Sequence, residues 1–197
     1  MAQRRTLVLA STSKYRRALL ARLGLEFVCA APEVAESAES GESPEATALR
    51  LASLKAGAVA ARFPGALIIG SDQVASCGGQ RLGKPGNRTN AIAQLEWLSG
   101  KTALFDTAVC VLDAASGTQR LRSVPCRVAF RPLTRAQIET YVDREQPFDC
   151  AASAKSEGLG IALLRSLQTD DPTSLIGLPL IALTELLGEA GLPVIEA

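Results

Sequence analysis

Histidine is missing from all 197 residues of this chain. That absence excludes Ser-His-Asp and Cys-His nucleophilic catalysis and any His-ligated zinc site, and it leaves Asp, Glu, Lys, Arg and Tyr as the groups able to move protons or hold charge. Net charge is also nearly absent, +1 at pH 7, whereas a broad nucleic-acid surface is strongly basic. A nucleic-acid polymer is therefore not an expected partner, and any polyanion bound here is small and held locally. Arg4 and Arg5 precede only about five apolar residues, too few for the apolar core of a signal peptide and far short of a membrane span. The expected compartment is the cytoplasm, with no membrane partner. Cys29, Cys77, Cys110, Cys126 and Cys150 are odd in number and scattered, with no CxxC spacing, so buried reduced thiols are expected. Lysine is scarce as well, five residues against sixteen arginines. Where arginine serves as the generic cation, Lys14, Lys55, Lys84, Lys101 and Lys155 each become candidates for a specific role.

What is present suits a soluble globular protein: 47% of residues are hydrophobic and 21% charged, enough to bury one sizeable core. One domain over 1–197 is expected, with room for two lobes and a cleft between them. Thr6 to Ala10 is short, apolar and partly β-branched, and runs into Ser11, Thr12 and Ser13, which reads as strand, turn and helix, the helix closing at Gly24. Leu25 to Ala30 reads as a second strand. Ala31 to Pro44 is an acidic solvated loop. Ser43 and Pro44 start a helix that runs to about Arg62. Leu67 to Ile69 is a buried strand leading directly into Ser71, Asp72 and Gln73, and "CGGQ" is a tight turn. Asn87 to Leu98 is helical and stopped by Gly100. Thr102–Asp113 and Thr118–Phe130 form a hairpin across "AASG". Thr134 and Gln137 make a capping box for a helix ending near Asp143, and a last amphipathic helix begins near Leu178 and closes at Gly191. The fold class is α/β (mixed α+β), with a mixed β-sheet flanked by helices.

Four stretches carry candidate chemistry. A helix N-terminus after a strand presents free N–H groups and the positive end of the helix dipole. Ser11, Thr12 and Ser13 add hydroxyls there and Arg16 adds a bidentate fork. An ordinary capped helix with exposed arginines has the same local pattern. In "SDQV", Asp72 follows an apolar strand, the end of a sheet where α/β proteins build sites. It can hold Mg²⁺, accept a proton from water, or merely start a turn. In "GKP", Lys84 stands on a rigid loop within reach of a phosphate, or is an ordinary exposed lysine. "SAKSEG", around Lys155 and Glu157, reads by default as a solvated loop.

The order of these pieces is more specific than any one of them. "LASTSxxRRxLL", a Pro-Glu loop ending at Glu36, "RLAxxKA" around Lys55, "GSDQV", "GKP", "KSEG" and "GLPL" follow one another along almost the whole chain. Together they resemble the Maf family of nucleotide pyrophosphatases, and "SDQV" with "KSEG" resembles its branch that acts on 7-methyl-GTP. The resemblance implies an elongated, ITPase-like/Maf-like sheet fold and a cytoplasmic, metal-dependent hydrolase. Such an enzyme cleaves a nucleoside triphosphate between the α and β phosphates, with Mg²⁺ or Mn²⁺ as cofactor and a small-molecule nucleotide as partner; a homodimer is compatible with it. It also implies roles: Asp72 as proton acceptor, Ser11, Ser13, Arg16, Lys55 and Lys84 on phosphates, Glu36 with Asp72 at the metal, and Tyr15, Gln73 and Glu157 in substrate choice.

The chemistry of these residue types fits those roles. Triphosphate hydrolysis is mostly positioning and charge neutralisation, and Mg²⁺ takes oxygen ligands and does not need the missing histidines. A 7-methylguanine ring carries delocalised positive charge that an aromatic face such as Tyr15 attracts. A guanine edge offers two donors that the Glu157 carboxylate can accept. Two positions depart from the family pattern: Tyr15 stands where the branch commonly has tryptophan, and Ala35 where an acidic residue commonly precedes Glu36. Two alternatives stay open, the same chemistry on UTP, dTTP or another modified nucleotide, and a nucleotide-binding regulator of cell division with little catalysis.

Overall fold

The computed structural model describes residues 5–195. Its strands are β1 (Leu7–Ala10), β2 (Val28–Ala30), β3 (Leu67–Cys77), β4 (Gln80–Leu82), β5 (Thr102–Asp113), β6 (Gln119–Phe130) and β7 (Leu164–Gln168). Its α-helices are α1 (Lys14–Ala21), α2 (Pro44–Ala60), α3 (Arg88–Leu98), α4 (Arg135–Glu145) and α5 (Leu180–Glu189). The strands form one mixed sheet in the order β2-β1-β3-β5-β6-β7, with β4 paired to β3. Two compact units divide the chain: the described residues up to Gln73 with Thr107–Val124 and those from Asp171 onward, and Val74–Asp106 with Pro125–Asp170.

In the first unit β1 pairs parallel with both β2 and β3, Val8 opposite Val28 on one side and Ile68 on the other. Parallel strands covered on both faces read as continuous apolar runs, and all four residues of β1 are buried. Side chains alternate along a strand, so Leu7 and Leu9, Leu67 and Ile69, and Val109 and Val111 share one face. That face packs against Leu19 and Leu20 of α1 and Leu183, Leu186 and Leu187 of α5. α2 packs on β1 through an alanine-rich face, Ala48, Ala52 and Ala56 all fully buried. Pro179 supplies no side-chain cap to α5. The buried Asp171 carboxylate does so instead, accepting from the Ile181 amide at 2.7 Å, and it also takes the Thr173 hydroxyl at 2.6 Å.

In the second unit the turn Gly78–Gly79 joins β3 to β4. Both glycines have positive φ, 55° and 81°, as a two-residue hairpin requires, and Cys77 faces Gln80 in the ladder. α3 packs on α4. α4 starts with the expected capping box, Thr134 and Gln137 satisfying one another's backbone.

Three expectations change. β3 does not stop at Ile69 but continues to Cys77, because β4 extends its pairing from Ala75 to Cys77. Asp72 therefore lies within a strand, not beyond its end. β7 was not expected; its exposed Arg165 and Ser166 give no apolar alternation, and pairing with β6 holds it at the sheet edge. Buried thiols are found at Cys77, Cys110 and Cys126, where burial pushes Cys110 up to about 12 and Cys126 to about 11. Cys29, on the edge strand β2, is exposed instead, and Cys150 is half-buried. No described helix is long and apolar enough to cross a membrane.

Candidate active site

Gly70 sets the centre of the site. A Cβ there would fall inside contact distance of the Ala52 carbonyl and 2.8 Å from the Ala56 amide, so only glycine lets the α2 backbone lie flat on β3. Lys55 projects from α2 between those two residues. Its side chain is 5% exposed, and its ammonium lies 2.6 Å from Asp72 Oδ1 and 2.6 Å from Glu36 Oε1. Asp72 is buried on β3, whereas Glu36 is an exposed loop residue. One fixed cation thus gathers two carboxylates from segments far apart in sequence, no further from one another than twice that distance.

Helix α1 begins on the same unit. Ser13 is its N-cap and accepts from the Arg16 amide at 3.3 Å, while the buried Ser11 hydroxyl oxygen accepts from the Ser13 amide at 3.1 Å. Arg16 donates Nε to the Gly177 carbonyl at 2.7 Å, which fixes the plane of its fork. Gly177 has φ 117°, a conformation that favours glycine. Burial pulls the Arg16 guanidinium below its ordinary pKa, while the negative charges of Asp72 and Glu36 oppose the shift. The arginine therefore lies within electrostatic range of the same carboxylates as Lys55. Tyr15 is half-buried, with the Lys14 ammonium 4.9 Å from its ring centroid.

Gln73, next to Asp72, donates its amide nitrogen to Thr107 Oγ1 at 3.0 Å, Ser174 O at 2.9 Å and Leu175 O at 3.1 Å. The nitrogen is committed to the fold, so the carbonyl oxygen is the end it can offer to a ligand. Ser71 is fully buried, and its hydroxyl lies 2.8 Å from Ala108 O and 3.0 Å from Gly177 O. These bonds explain how β3 runs through a Ser-Asp-Gln stretch: Ser71 and Gln73 find acceptors on β5 and on the segment before α5, and Asp72 accepts from the Lys55 ammonium.

The first unit therefore brings together Glu36, Lys55, Asp72 and Arg16 in one electrostatic cluster, with Ser11 and Ser13 at the turn that leads to Arg16. Lys84 and Glu157 belong to the second unit. Lys84 is exposed on a loop held by Gln94 to Gly83 O at 3.1 Å, Asn90 to Pro85 O at 3.0 Å and the Gly86 amide to Phe148 O at 3.1 Å. "SAKSEG" is not the solvated loop expected: Ser153 is fully buried, and the Lys155 ammonium meets Glu145 at 2.5 Å. Gly70, Gly177, Tyr141 and Glu145 were missed by reading the sequence. Of these only Gly70, a glycine inside an apolar strand, carries a local signal of close backbone approach.

Among the described residues no group of three or more His, Cys, Asp or Glu is placed to hold a metal. Asp72 and Glu36 nonetheless aim oxygens at one cation position. Mg²⁺ is commonly held by one or two carboxylates, with substrate phosphates and water completing its shell. The donor set fits that pattern. Two carboxylates, a buried lysine and an oriented arginine beside a helix N-terminus are residue types able to hold a cation and phosphate oxygens, with no histidine among them.

The chain belongs to the Maf-like protein family, whose pattern it matches over residues 6–190. It is similar over nearly its whole length to proteins named 7-methyl-GTP pyrophosphatase. The Albidiferax ferrireducens protein is 53% identical over 193 residues, covering 98% of this chain and 97% of that one. The Thiobacillus denitrificans protein is 55% identical over 190 residues (96% and 94%), and the Aromatoleum aromaticum protein 56% over 186 (94% and 96%).

Proposed function

We propose that this chain is a nucleoside triphosphate pyrophosphatase that hydrolyses 7-methyl-GTP to 7-methyl-GMP and pyrophosphate. The observation that carries the reading is the convergence of Asp72 and Glu36 on the buried Lys55 ammonium, at 2.6 Å each. Identity above half to full-length proteins of that name supports the substrate.

In this mechanism Asp72 accepts a proton from the water that attacks the α-phosphate, and pyrophosphate leaves as the α–β bridging bond breaks. Lys55, Arg16 and Lys84 hold phosphate oxygens, and Ser11 and Ser13 donate to them with the first amides of α1. Arg16 comes to this task with its fork already oriented by Gly177, which lowers the cost of ordering it. Glu36 and Asp72 would hold a divalent cation, Mg²⁺ or Mn²⁺, which when bound supplies charge neutralisation at the phosphates and polarisation of the P–O bond. Tyr15 offers a face to the cationic base. Glu157 accepts from its Watson–Crick edge, and the Gln73 carbonyl accepts a further donor. The cytoplasm is the proposed compartment and a homodimer the proposed assembly.

The test is a panel of 7-methyl-GTP, GTP, UTP and dTTP with Mg²⁺ or Mn²⁺, read as pyrophosphate release. Preference for 7-methyl-GTP by kcat/KM supports the reading. Preference for UTP or dTTP overturns the substrate, and tight nucleotide binding with no pyrophosphate release overturns the enzyme.

A further inference from the structure

The segment from Ala151 to Leu163 has only short 3-10 turns, yet α4 fastens its backbone from two positions. Tyr141, 3% exposed, donates its hydroxyl to Ser153 O at 3.0 Å and accepts from the Lys155 amide at 3.0 Å. Four residues on, and so on the same helix face, Glu145 splits its carboxylate. Oε1 takes the Lys155 ammonium at 2.5 Å and Oε2 takes the Leu159 amide at 2.8 Å. The segment is held from a third position as well, by the Ser153 hydroxyl donating to Gln94 Oε1 of α3 at 2.5 Å.

The surrounding backbone is shaped around these bonds. A Cβ on Gly158 would fall 2.7 Å from Glu145 Oε2, and one on Gly160 would fall 2.6 Å from the Lys155 amide. Ala152 and Ser153 take φ of 58° and 53°, a region that non-glycine residues occupy where their surroundings over-determine it. The outcome is selective: of residues 155–159, Glu157 alone is exposed, and its neighbours on both sides are drawn inward. The shared charge of Lys155 and Glu145 is consumed in making that turn, and both groups shift in the direction of a mutual pair, lysine up and glutamate down.

We propose that Glu145 and Tyr141 are positioning residues for base selection: they fix the Lys155–Leu159 turn so that Glu157 is presented in one orientation, and Lys155 acts through Glu145 without touching substrate. This rests on the reading of Glu157 as the acceptor for the guanine edge.

The experiment measures kcat and KM of the full chain on 7-methyl-GTP and on UTP for Glu145→Gln, Lys155→Met, the double variant and Glu157→Gln. Glu145→Gln keeps the shape and loses the ion pair. Its KM for 7-methyl-GTP should rise on the order of tenfold, with kcat on both substrates and KM for UTP within about twofold. Lys155→Met should match it, and the double variant should be no worse than either single, as expected of two groups acting as one unit. An equal loss on both substrates, no loss on either, or a loss of kcat from Lys155→Met overturns the proposal. If Glu157→Gln shifts the substrate ratio and Glu145→Gln does not, the proposal alone falls. If Glu157→Gln leaves the ratio unchanged, the reading of Glu157 falls and the proposal with it.

Discussion

Gly70 receives the carbonyl of Ala52 where any other residue would carry a Cβ, and this close approach brings Lys55 of α2 onto Asp72 of β3. The contact is with backbone, which cannot swing aside as a side-chain tip does. Gly70→Ala should therefore lift α2 from the sheet, with an overpacking cost of about 1–3 kcal/mol and a loss of activity out of proportion to it. Urea unfolding and pyrophosphate release measure the two effects. Wild-type turnover in a destabilised Gly70→Ala would show that the Lys55–Asp72 contact is not needed for catalysis.

The same ion pair separates a stability role from a chemical one. Asp72→Asn leaves Lys55 with Glu36 and with a neutral acceptor of the same shape, so the fold should persist by circular dichroism. The loss of the proton acceptor should lower kcat by about 10²–10⁴. Lys55→Met strands the buried Asp72 carboxylate without its cation, and removing one partner of a buried pair costs about 3–5 kcal/mol. Urea midpoints should rank wild type and Asp72→Asn together, well above Lys55→Met. Near wild-type turnover in Asp72→Asn removes it as the base.

What the sequence made legible follows from how local each signal is. The Thr134–Gln137 capping box, the Ser43–Pro44 helix start and the Thr102–Asp113 strand are written in neighbouring residues, and the structure returns all three. The extension of β3 through Asp72 is not, because what sustains it is pairing with β4 and acceptors on β5 and near Gly177, distant in the chain. The ordered motifs pointed to Lys55, Asp72 and Glu36, which meet at the Lys55 ammonium, to Arg16 on the same unit, and to Lys84 and Glu157, which belong to the second unit. The roles of Gly177 and Glu145 depend on partners 161 and 10 residues away, which no local pattern announces.

Acid should act on the first unit through Asp113. Arg5 donates to both its oxygens, at 2.9 and 2.5 Å, and this bond holds the carboxyl down to about 2 from an ordinary 3.8. Because the folded value lies below the unfolded one, the pair's contribution is fully present above the unfolded value and is lost as pH falls from 3.8 towards 2. The pair is partly exposed and so is also weakened by salt. The thermal midpoint of Asp113→Asn should sit below wild type at neutral pH, and the gap should close across that acid window. A gap that is constant with pH would refute the coupling.

Glu157→Gln replaces an acceptor-only carboxylate by an amide that offers one acceptor and two unwanted donors. A guanine edge presents two donors, so 7-methyl-GTP should lose much more kcat/KM than UTP, by about tenfold or more in the ratio of the two. An equal loss on both nucleotides would deny Glu157 any part in reading the base.

Tyr15 gives the sharpest separation between the methylated and unmethylated purine, since both present the same donors and differ in ring charge. The Lys14 ammonium already lies 4.9 Å from the Tyr15 centroid, so the ring is placed to receive a cation on its own chain. A cationic base competes for that attraction, worth about 0.5–2 kcal/mol or roughly 2- to 30-fold in affinity. Tyr15→Leu keeps an apolar surface and removes the π-face. Its KM for 7-methyl-GTP should rise by that factor while KM for GTP changes little, and Tyr15→Trp, with the larger face, should lower KM for 7-methyl-GTP. Lys14→Met should act in the same direction as the tryptophan, by clearing the competing cation from the ring. Parallel changes for GTP and 7-methyl-GTP in Tyr15→Leu would mean that the ring supplies only apolar contact, and selection for the methylated base would then rest elsewhere.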